Sequence, residues 1–294
     1  MDAPWAAVVV NYEAGDALTA CVASLFADES AGGPPDVVVV DNGSSDGSVV
    51  TLRRAFPAVR VVDPGANVGY ASAANRGTAA TTTDIIAVCN ADLEVRPGTA
   101  AAMLAVFADP AVGAAGPRVL NPDGTTYPSV RRDPPLVDAI GHACLGWCWP
   151  RNPFTRRYRE LDADPGVARD VDWASGAALW LRREAVDEIG GWDEGYFMYL
   201  EDVDLGWRLG AAGWRVRYEP AGVVVHVQGL STARRPYRMI LEHHRSSYRF
   251  VSKRWHGVQR LLLVPAAAFL AARALLTIAA KALAPRRDQR PVTR

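Results

Sequence analysis

The 294-residue sequence predicts an α/β protein with a mostly parallel central sheet flanked by helices, followed by a C-terminal basic, amphipathic helical segment. Three observations predict it. Short β-branched runs alternate with helical patterns in the first third, as βαβ units do. Those runs are apolar without interruption, as parallel strands covered on both faces are. The C-terminal region joins a long Ala/Leu stretch to an excess of Lys and Arg.

The elements follow in order. AAVVVNY (6–12) is a strand, and DALTACVASLFAD (16–28) has apolar residues at helical spacing. DVVVVDNGSSDGS (36–48) is a strand running into a polar turn. SVVTLRRAF (48–56) reads as a helix, VRVVDP (59–64) as a strand and YASAANRGTAAT (70–81) as a helix. DIIAVCNAD (84–92) is a strand and GTAAAMLAVFAD (98–109) a helix. Residues 117–172, rich in Pro, Arg and aromatic side chains, are expected to be loops over a cleft. Regular structure returns at 178–191, with a helix at 203–213 and a strand at 222–227.

Composition bounds the function. With 49% hydrophobic residues and 9 Trp, the chain can bury a sizeable core. Four unpatterned cysteines do not make a disulfide framework, and His142, Cys144 and Cys148 lack a second ligand pair for zinc. The N-terminus has no basic region followed by a long apolar run, so no secretory signal is read there and a cytoplasmic chain is expected. Lysine plus arginine balance aspartate plus glutamate at 32 each, but residues 231–294 hold 14 Lys or Arg against only Glu242 and Asp288. An acidic body therefore carries a basic tail, which suits a polyanion: nucleic acid or an anionic membrane surface. The tail brackets the apolar run Gln259–Ala284 instead of interleaving bases with stacking aromatics, so lipid is preferred and no nucleic-acid partner is expected. Arg273 and Pro265 make that run a marginal membrane span; a helix lying in the membrane interface is expected, the alternative being a helix packed on the body.

In open α/β sheets ligands bind beyond the carboxyl ends of the strands. Three polar clusters sit at such ends: Asn11-Tyr12, Asp41-Asn42-Gly43-Ser44-Ser45-Asp46-Gly47, and Asn90-Ala91-Asp92. No GxGxxG or GxxxxGK[ST] is present, which excludes the usual dinucleotide and P-loop readings. The second cluster is no EF-hand, because its twelfth position is Leu52.

VVVVDNGSSDGS, NVGYASAANRG, NAD and YLEDVDLGWRL, in that order, resemble the family 2 inverting glycosyltransferases of GT-A (nucleotide-diphospho-sugar transferase) fold. GPRVLNPDGTTYPSVR, WPRNPFTRRYR and the block WASGAALWLRREAVDEIGGWDEGYFMYLEDVDLGWRL are similar to one subgroup, the actinobacterial enzymes that add L-rhamnose to polyprenyl-diphosphate-linked N-acetylglucosamine. The resemblance covers nearly the whole chain. It implies a catalytic domain over residues 1–230, nucleotide-binding to about 115 and acceptor-binding beyond, then a membrane-associating tail over 231–294.

The resemblance also implies roles. A divalent cation, Mg2+ or Mn2+, would neutralise the leaving diphosphate, with Asp92 and His226 as ligands. The family's Asp-x-Asp is here Asn90-Ala91-Asp92, which leaves Asn90 an auxiliary role beside the donor. Asn11, Tyr12, Asp41, Asn42, Asn67, Gly69, Tyr70, Asn75 and Ala91 would bind the donor, dTDP-rhamnose. Asp41 has two readings, acceptor of a thymine or uracil imide proton and Asx turn, and they are compatible. Inversion needs one base at the acceptor hydroxyl. The acidic pair supplies Asp202 as that base and Glu201 as its orienting partner, with Asp204 next in line. Trp173, Ser175, Gly176 and Arg131 would meet the acceptor, and core packing is the alternative for Trp173. Arg132, Arg151 and Arg156 are further candidates for the lipid diphosphate. A degenerate transferase that binds without turnover is the rival from another class, and intact Asp92, Glu201 and Asp202 oppose it.

Overall fold

The computed structural model describes residues 3–133, 136–146, 148–227 and 235–283. The expected boundary at 230/231 and the basic residues after 283 lie outside them.

The first half is a run of βα units. It comprises β1 (Ala6–Asn11), α1 (Asp16–Ala27), β2 (Asp36–Asp41), α2 (Ser48–Ala55), β3 (Arg60–Val62), α3 (Tyr70–Ala79) and β4 (Ile85–Asn90). After β4 come β5 (Leu93–Val95), α4 (Thr99–Val106) and β6 (Val112–Leu120). The second half holds β7 (Val130–Arg131), α5 (Leu136–Leu145), α6 (Pro153–Tyr158), β8 (Arg169–Val171), β9 (Trp173–Ala174), β10 (Ala178–Arg182) and α7 (Arg183–Glu188). It ends with α8 (Glu201–Ala211), β11 (Arg215–His226), α9 (Pro236–Arg254), a 3-10 turn at Gly257–Leu262 and α10 (Leu263–Leu283).

The main sheet runs β3-β2-β1-β4-β10-β6-β11-β5, with β8 also on β11. Strands β1 to β4, β6 and β11 point one way; β5, β8 and β10 oppose them. The small β7-β9 pair stands apart from it. Both faces are covered, so Val8, Val9, Val38, Val39, Ile86 and Val88 are wholly buried, as the uninterrupted apolar runs require. Trp5 and Trp180 meet at 6.1 Å between ring centres under the sheet.

Residues 117–172 correct the expectation of loops. Besides the end of β6 and the strand β8, they hold α5 and α6, which pack together at Gly141, where a Cβ would strike the Phe154 ring. Asn152, fully buried, caps α6 by accepting the Thr155 N–H at 2.9 Å, with Pro153 in the first turn. Arg157 donates to Asp138 at 2.6 Å and ties the two helices. The strand expected at 222–227 begins instead at Arg215, because β11 survives Pro220 through a register shift between Glu219 and Val223.

Candidate active site

Strand order reverses around β1 and β4, and a cavity of about 1080 Å3 opens at their carboxyl ends. Tyr12, Asn42, Asn67, Tyr70 and Asn90-Ala91-Asp92 line one side. Arg131, Trp173, Ser175, Gly176, Glu201 and Asp202 line the other, and His226 joins Asn90 and Asp92 on the first.

On the first side the DNGSSDG turn is held from within. Asn11, fully buried, donates to Asp41 at 2.9 Å, to Ser44 Oγ at 3.1 Å and to Ser48 Oγ at 3.1 Å. Asp41 also accepts the Ser44 N–H at 3.2 Å, which is its turn-forming role. Asn11 and Asp41 therefore lie beneath the cavity wall, while Asn42 reaches it. Two residues expected at the donor also have partners within the protein. Asn75 donates to the Trp192 carbonyl and to Glu194, each at 2.9 Å, and accepts the Trp192 N–H, which straps α3 to the 192–195 loop. Gly69 (φ 87°) closely approaches the protein, since a Cβ would lie 2.6 Å from the Phe197 carbonyl oxygen.

At the end of β4 three groups converge. The β5–β11 pairing sets His226 opposite Leu93, and His226 Nε2 lies 3.0 Å from Asp92 Oδ1 and 3.2 Å from Asn90 Nδ2. One ring nitrogen cannot donate to the carboxylate and accept from the amide together; rotating the Asn90 amide turns its oxygen inward. His226 Nδ1 is buried without a partner. A carboxylate oxygen, an imidazole nitrogen and an amide oxygen form a mixed set that suits a hard or borderline divalent cation. The residues fit such a group. Among the described residues no third His, Cys, Asp or Glu joins them.

The acidic pair owes its position to strain. Tyr199 (φ 70°) and Leu200 (φ 63°) are consecutive left-handed residues, neither of them glycine, just before α8. Each costs about 1–3 kcal/mol and persists only where neighbours impose it. Here the Tyr70 N–H binds the Phe197 carbonyl at 2.9 Å, and Ser246 Oγ of α9 binds the Met198 carbonyl at 2.9 Å. Asp202 accepts the Gly176 N–H at 3.0 Å and the Val203 N–H at 2.8 Å. Burial raises its pKa despite those bonds. Glu201 is raised too, first by burial and then by the charge of Asp202, and its Oε2 has no partner. The pair resists carrying two charges, and Asp202, with two N–H donors, is the member favoured to ionise.

Asp204 is no catalytic candidate. Fully buried, it accepts from Arg208 Nε at 2.6 Å, from the Tyr196 hydroxyl at 3.2 Å and from Lys253 of α9. Lys253 also binds Asp193 at 2.7 Å, and Arg249 does the same, so α9 is ion-paired to the body. Burial alone would raise Asp193, but these hydrogen bonds prevail and hold it at about 2.

Across the cavity, Gly176 links two groups: its N–H meets Asp202 and its carbonyl accepts from the Tyr70 hydroxyl. One face of Trp173 is covered by the Arg131 guanidinium, 5.2 Å from the ring centre, which limits its use as a sugar platform. Arg132 lines the cavity, whereas Arg156 pairs with exposed Asp162 at 2.6 Å and Arg151 is exposed outside it. Sequence reasoning missed Tyr199, Arg159, Arg254 and Arg273, all of which line the cavity. Three of them stand on or beside helices whose cavity-facing stripe is polar or mixed, which hydrophobic periodicity does not register.

Comparisons with known proteins agree with this geometry. The family Glycosyl transferase family 2 matches residues 6–190, and Glycosyl transferase family group 2 matches residues 167–280. The N-acetylglucosaminyl-diphospho-decaprenol L-rhamnosyltransferase of Mycobacterium tuberculosis is 42% identical over 263 residues, covering 85% of this chain and 84% of the relative. The pre-mycofactocin glycosyltransferase of Mycobacterium tuberculosis is 34% identical over 65% of this chain and 37% of its own. Among solved structures, the mannosyltransferase PcManGT from Pyrobaculum calidifontis, in complex with GDP-Man and Mn2+, superposes with TM-score 0.58 at 20% identity, covering 98% of this chain and 77% of that one. GalNAc-T7 with UDP, GalNAc and Mn2+ gives TM-score 0.56 at 18% identity, over 77% of this chain and 44% of that one. These two likenesses bear on the fold, which is GT-A-like. With its fold, its cavity at the strand ends and a family match over more than half its length, the chain belongs to glycosyl transferase family 2 and is a glycosyltransferase.

Proposed function

We propose that this enzyme transfers L-rhamnose from dTDP-L-rhamnose to O3 of N-acetylglucosamine carried on a polyprenyl diphosphate, with inversion, at the cytoplasmic face of the membrane. The observation that carries the reading is Asp202: a carboxylate with a raised pKa, held by two N–H groups, in a cavity at the switch point of a chain 42% identical to a rhamnosyltransferase named for that acceptor. Asp202 takes the proton of the acceptor hydroxyl as its oxygen attacks the anomeric carbon. The bond from that carbon to the nucleoside diphosphate breaks, and dTDP leaves with the electron pair on the opposite side. Glu201, kept protonated by burial and by Asp202, adds no second charge near the nucleophile. Asn42, Asn67, Tyr70 and Tyr12 would flank the donor, with Asp41 holding the turn beneath them.

Asp92 and His226, with Asn90 beside them, would hold Mg2+ or Mn2+, which stabilises the charge developing on a leaving diphosphate. The tail would lie on anionic lipid, since α10 is long and apolar enough to cross a membrane and only 6% of its most apolar stretch is buried.

The test is transfer from dTDP-rhamnose to a short polyprenyl-diphosphate N-acetylglucosamine, with and without Mg2+ or Mn2+. Metal-dependent product that is lost in Asp202→Asn supports donor, cation and base together. A folded protein that makes no such product, yet transfers from another nucleotide sugar, overturns the rhamnosyl reading.

A further inference from the structure

The cavity does not end at the acidic pair. It continues away from the sheet into a space walled by three helices, each of which turns one helical stripe towards it. From α10 these are Ala266, Phe269, Leu270 and Arg273, at spacings of three, four and seven. From α9 they include Phe250, Val251 and Arg254. From α5 they include Ile140 and Ala143. The walls of this space are therefore mixed, hydrocarbon with Arg254 and Arg273 among it.

Arg254 pairs with Asp133 and Arg132 lies 3.9 Å from Glu160, but other cations of the cavity are not neutralised in this way. Among the described residues, Arg131, Arg159 and Arg273 pair with no carboxylate, and Arg131 Nε is buried without a partner. Arg273 is the sole charge on the cavity stripe of α10 and touches only the His244 ring, at 3.2 Å. An arginine in mid-helix, on an apolar segment, turned inward, with no carboxylate partner among the described residues, is suited to an anion. The outer face of α10 is apolar as well: Val264 and Leu275 are 78% and 68% exposed. The helix thus has an apolar stripe to the outside and an apolar stripe with one cation to the inside. On α5, Val137 and Ile140 are exposed too, at 61% and 54%, beside the same opening.

We propose that the α5–α9–α10 space is the acceptor's lipid site. Arg273, with Arg131 and Arg159, binds the diphosphate, and Ile140, Ala143, Ala266 and Leu270 hold the first isoprene units. This rests on the polyprenyl-diphosphate reading above and adds where the lipid lies. The occupant is set by what one cavity holds together: the acidic pair, cations without carboxylate partners and a hydrocarbon wall. A sugar, a diphosphate and a prenyl chain present groups that match these three. The exposed apolar faces of α5 and α10 at the mouth let the rest of the chain remain in the bilayer.

The test uses the full-length protein and two probes, farnesyl diphosphate and inorganic diphosphate, with thymidine diphosphate as a third for the donor side. Binding is measured by equilibrium dialysis on wild type, Arg273→Gln, Ala143→Trp and Ala266→Trp. Arg273→Gln should weaken farnesyl diphosphate roughly tenfold or more, the scale of a lost charge-assisted contact, and leave thymidine diphosphate unchanged. The two tryptophan variants fill the groove from opposite walls. Both should weaken farnesyl diphosphate and leave inorganic diphosphate unchanged. Retained thymidine diphosphate binding shows that each variant is folded. Wild-type affinity for farnesyl diphosphate in all three variants overturns the proposal, as does an Arg273→Gln defect confined to thymidine diphosphate, which would assign the arginine to the donor. Active transfer to a polyprenyl acceptor with unchanged KM in these variants sinks the site while sparing the proposed function. Absence of transfer to any polyprenyl acceptor sinks that function first.

Discussion

The two sides of the cavity are built by different means. The side on β1, β2 and β4 is secured locally: Asp41 is held by Ser44, three residues on, and by Asn11 on the adjacent strand. The side that carries the acidic pair is secured at long range. Asp204 depends on Lys253 and Asp133 on Arg254, 121 residues away. Adjacent parallel strands bring their ends together as a consequence of the sheet. Helices brought in from distant sequence need dedicated ion pairs, so chemistry on that side is more exposed to mutation elsewhere.

The largest expected effect is at Asp202. Asp202→Asn keeps the shape and removes the base, so kcat should fall about 10^2- to 10^4-fold while the melting temperature stays near wild type. A loss below tenfold would move the base to another residue. Next comes Asp204→Asn, which strands Lys253 and Arg208 beside a neutral amide. Breaking a buried pair of this kind costs about 3–5 kcal/mol, read as a lowered urea midpoint. If instead stability holds and only activity falls, Asp204 belongs to the chemistry and the contrast between the two sides fails.

On the local side, Gly69→Ala places a Cβ against the Phe197 carbonyl in a left-handed conformation and should cost about 1–3 kcal/mol. Gly15→Ala also has a positive φ but meets nothing within 4 Å, and should cost less. The difference between them, measured by thermal unfolding, isolates the close approach.

The smallest effect sharpens the acid pair. Glu201 has its pKa raised by folding, from an ordinary 4.5 to about 8, first through burial and then through Asp202. Its contribution to stability is therefore fully present below about pH 4.5 and is lost as pH rises towards 8. Glu201→Gln should leave stability unchanged at pH 4 and raise it by about 1–3 kcal/mol at pH 8, where wild type must ionise a buried acid or hold its proton against the solvent. Equal stability of the two proteins across that range would show that Glu201 is not buried as described.

What could be read in the sequence follows the same division. The polar clusters at Asn11-Tyr12, Asp41–Gly47 and Asn90–Asp92 end apolar runs, so the strand-end rule locates them without knowledge of the rest. The acidic pair was legible as a motif, but not the strained Tyr199-Leu200 turn that aims it, because non-glycine left-handed residues leave no compositional mark. The protein partners of Asn75 were not legible, because an amide on a helix near a donor motif looks the same whether it faces a ligand or a neighbouring carbonyl. Helices α5 and α6 were hidden by Pro and Arg, which serve there as a first-turn residue and an ion-pair partner. Helix α9 was invisible to periodicity because it is held largely by charge: Arg249, Lys253 and Arg254 make its contacts.

One residue separates Asp202 from Asp204 on a single turn of α8, and Asp204 is gripped by Lys253 near the end of α9, shortly before the chain enters α10. The proposed proton acceptor and the C-terminal helices are thus joined through a half-buried lysine. If α10 rests on a bilayer, the height of Asp202 above that surface is set by the protein and not by the substrate. Such an arrangement measures its acceptor: a hydroxyl held at the right distance from the lipid surface meets the base, and one carried on a shorter or longer headgroup does not.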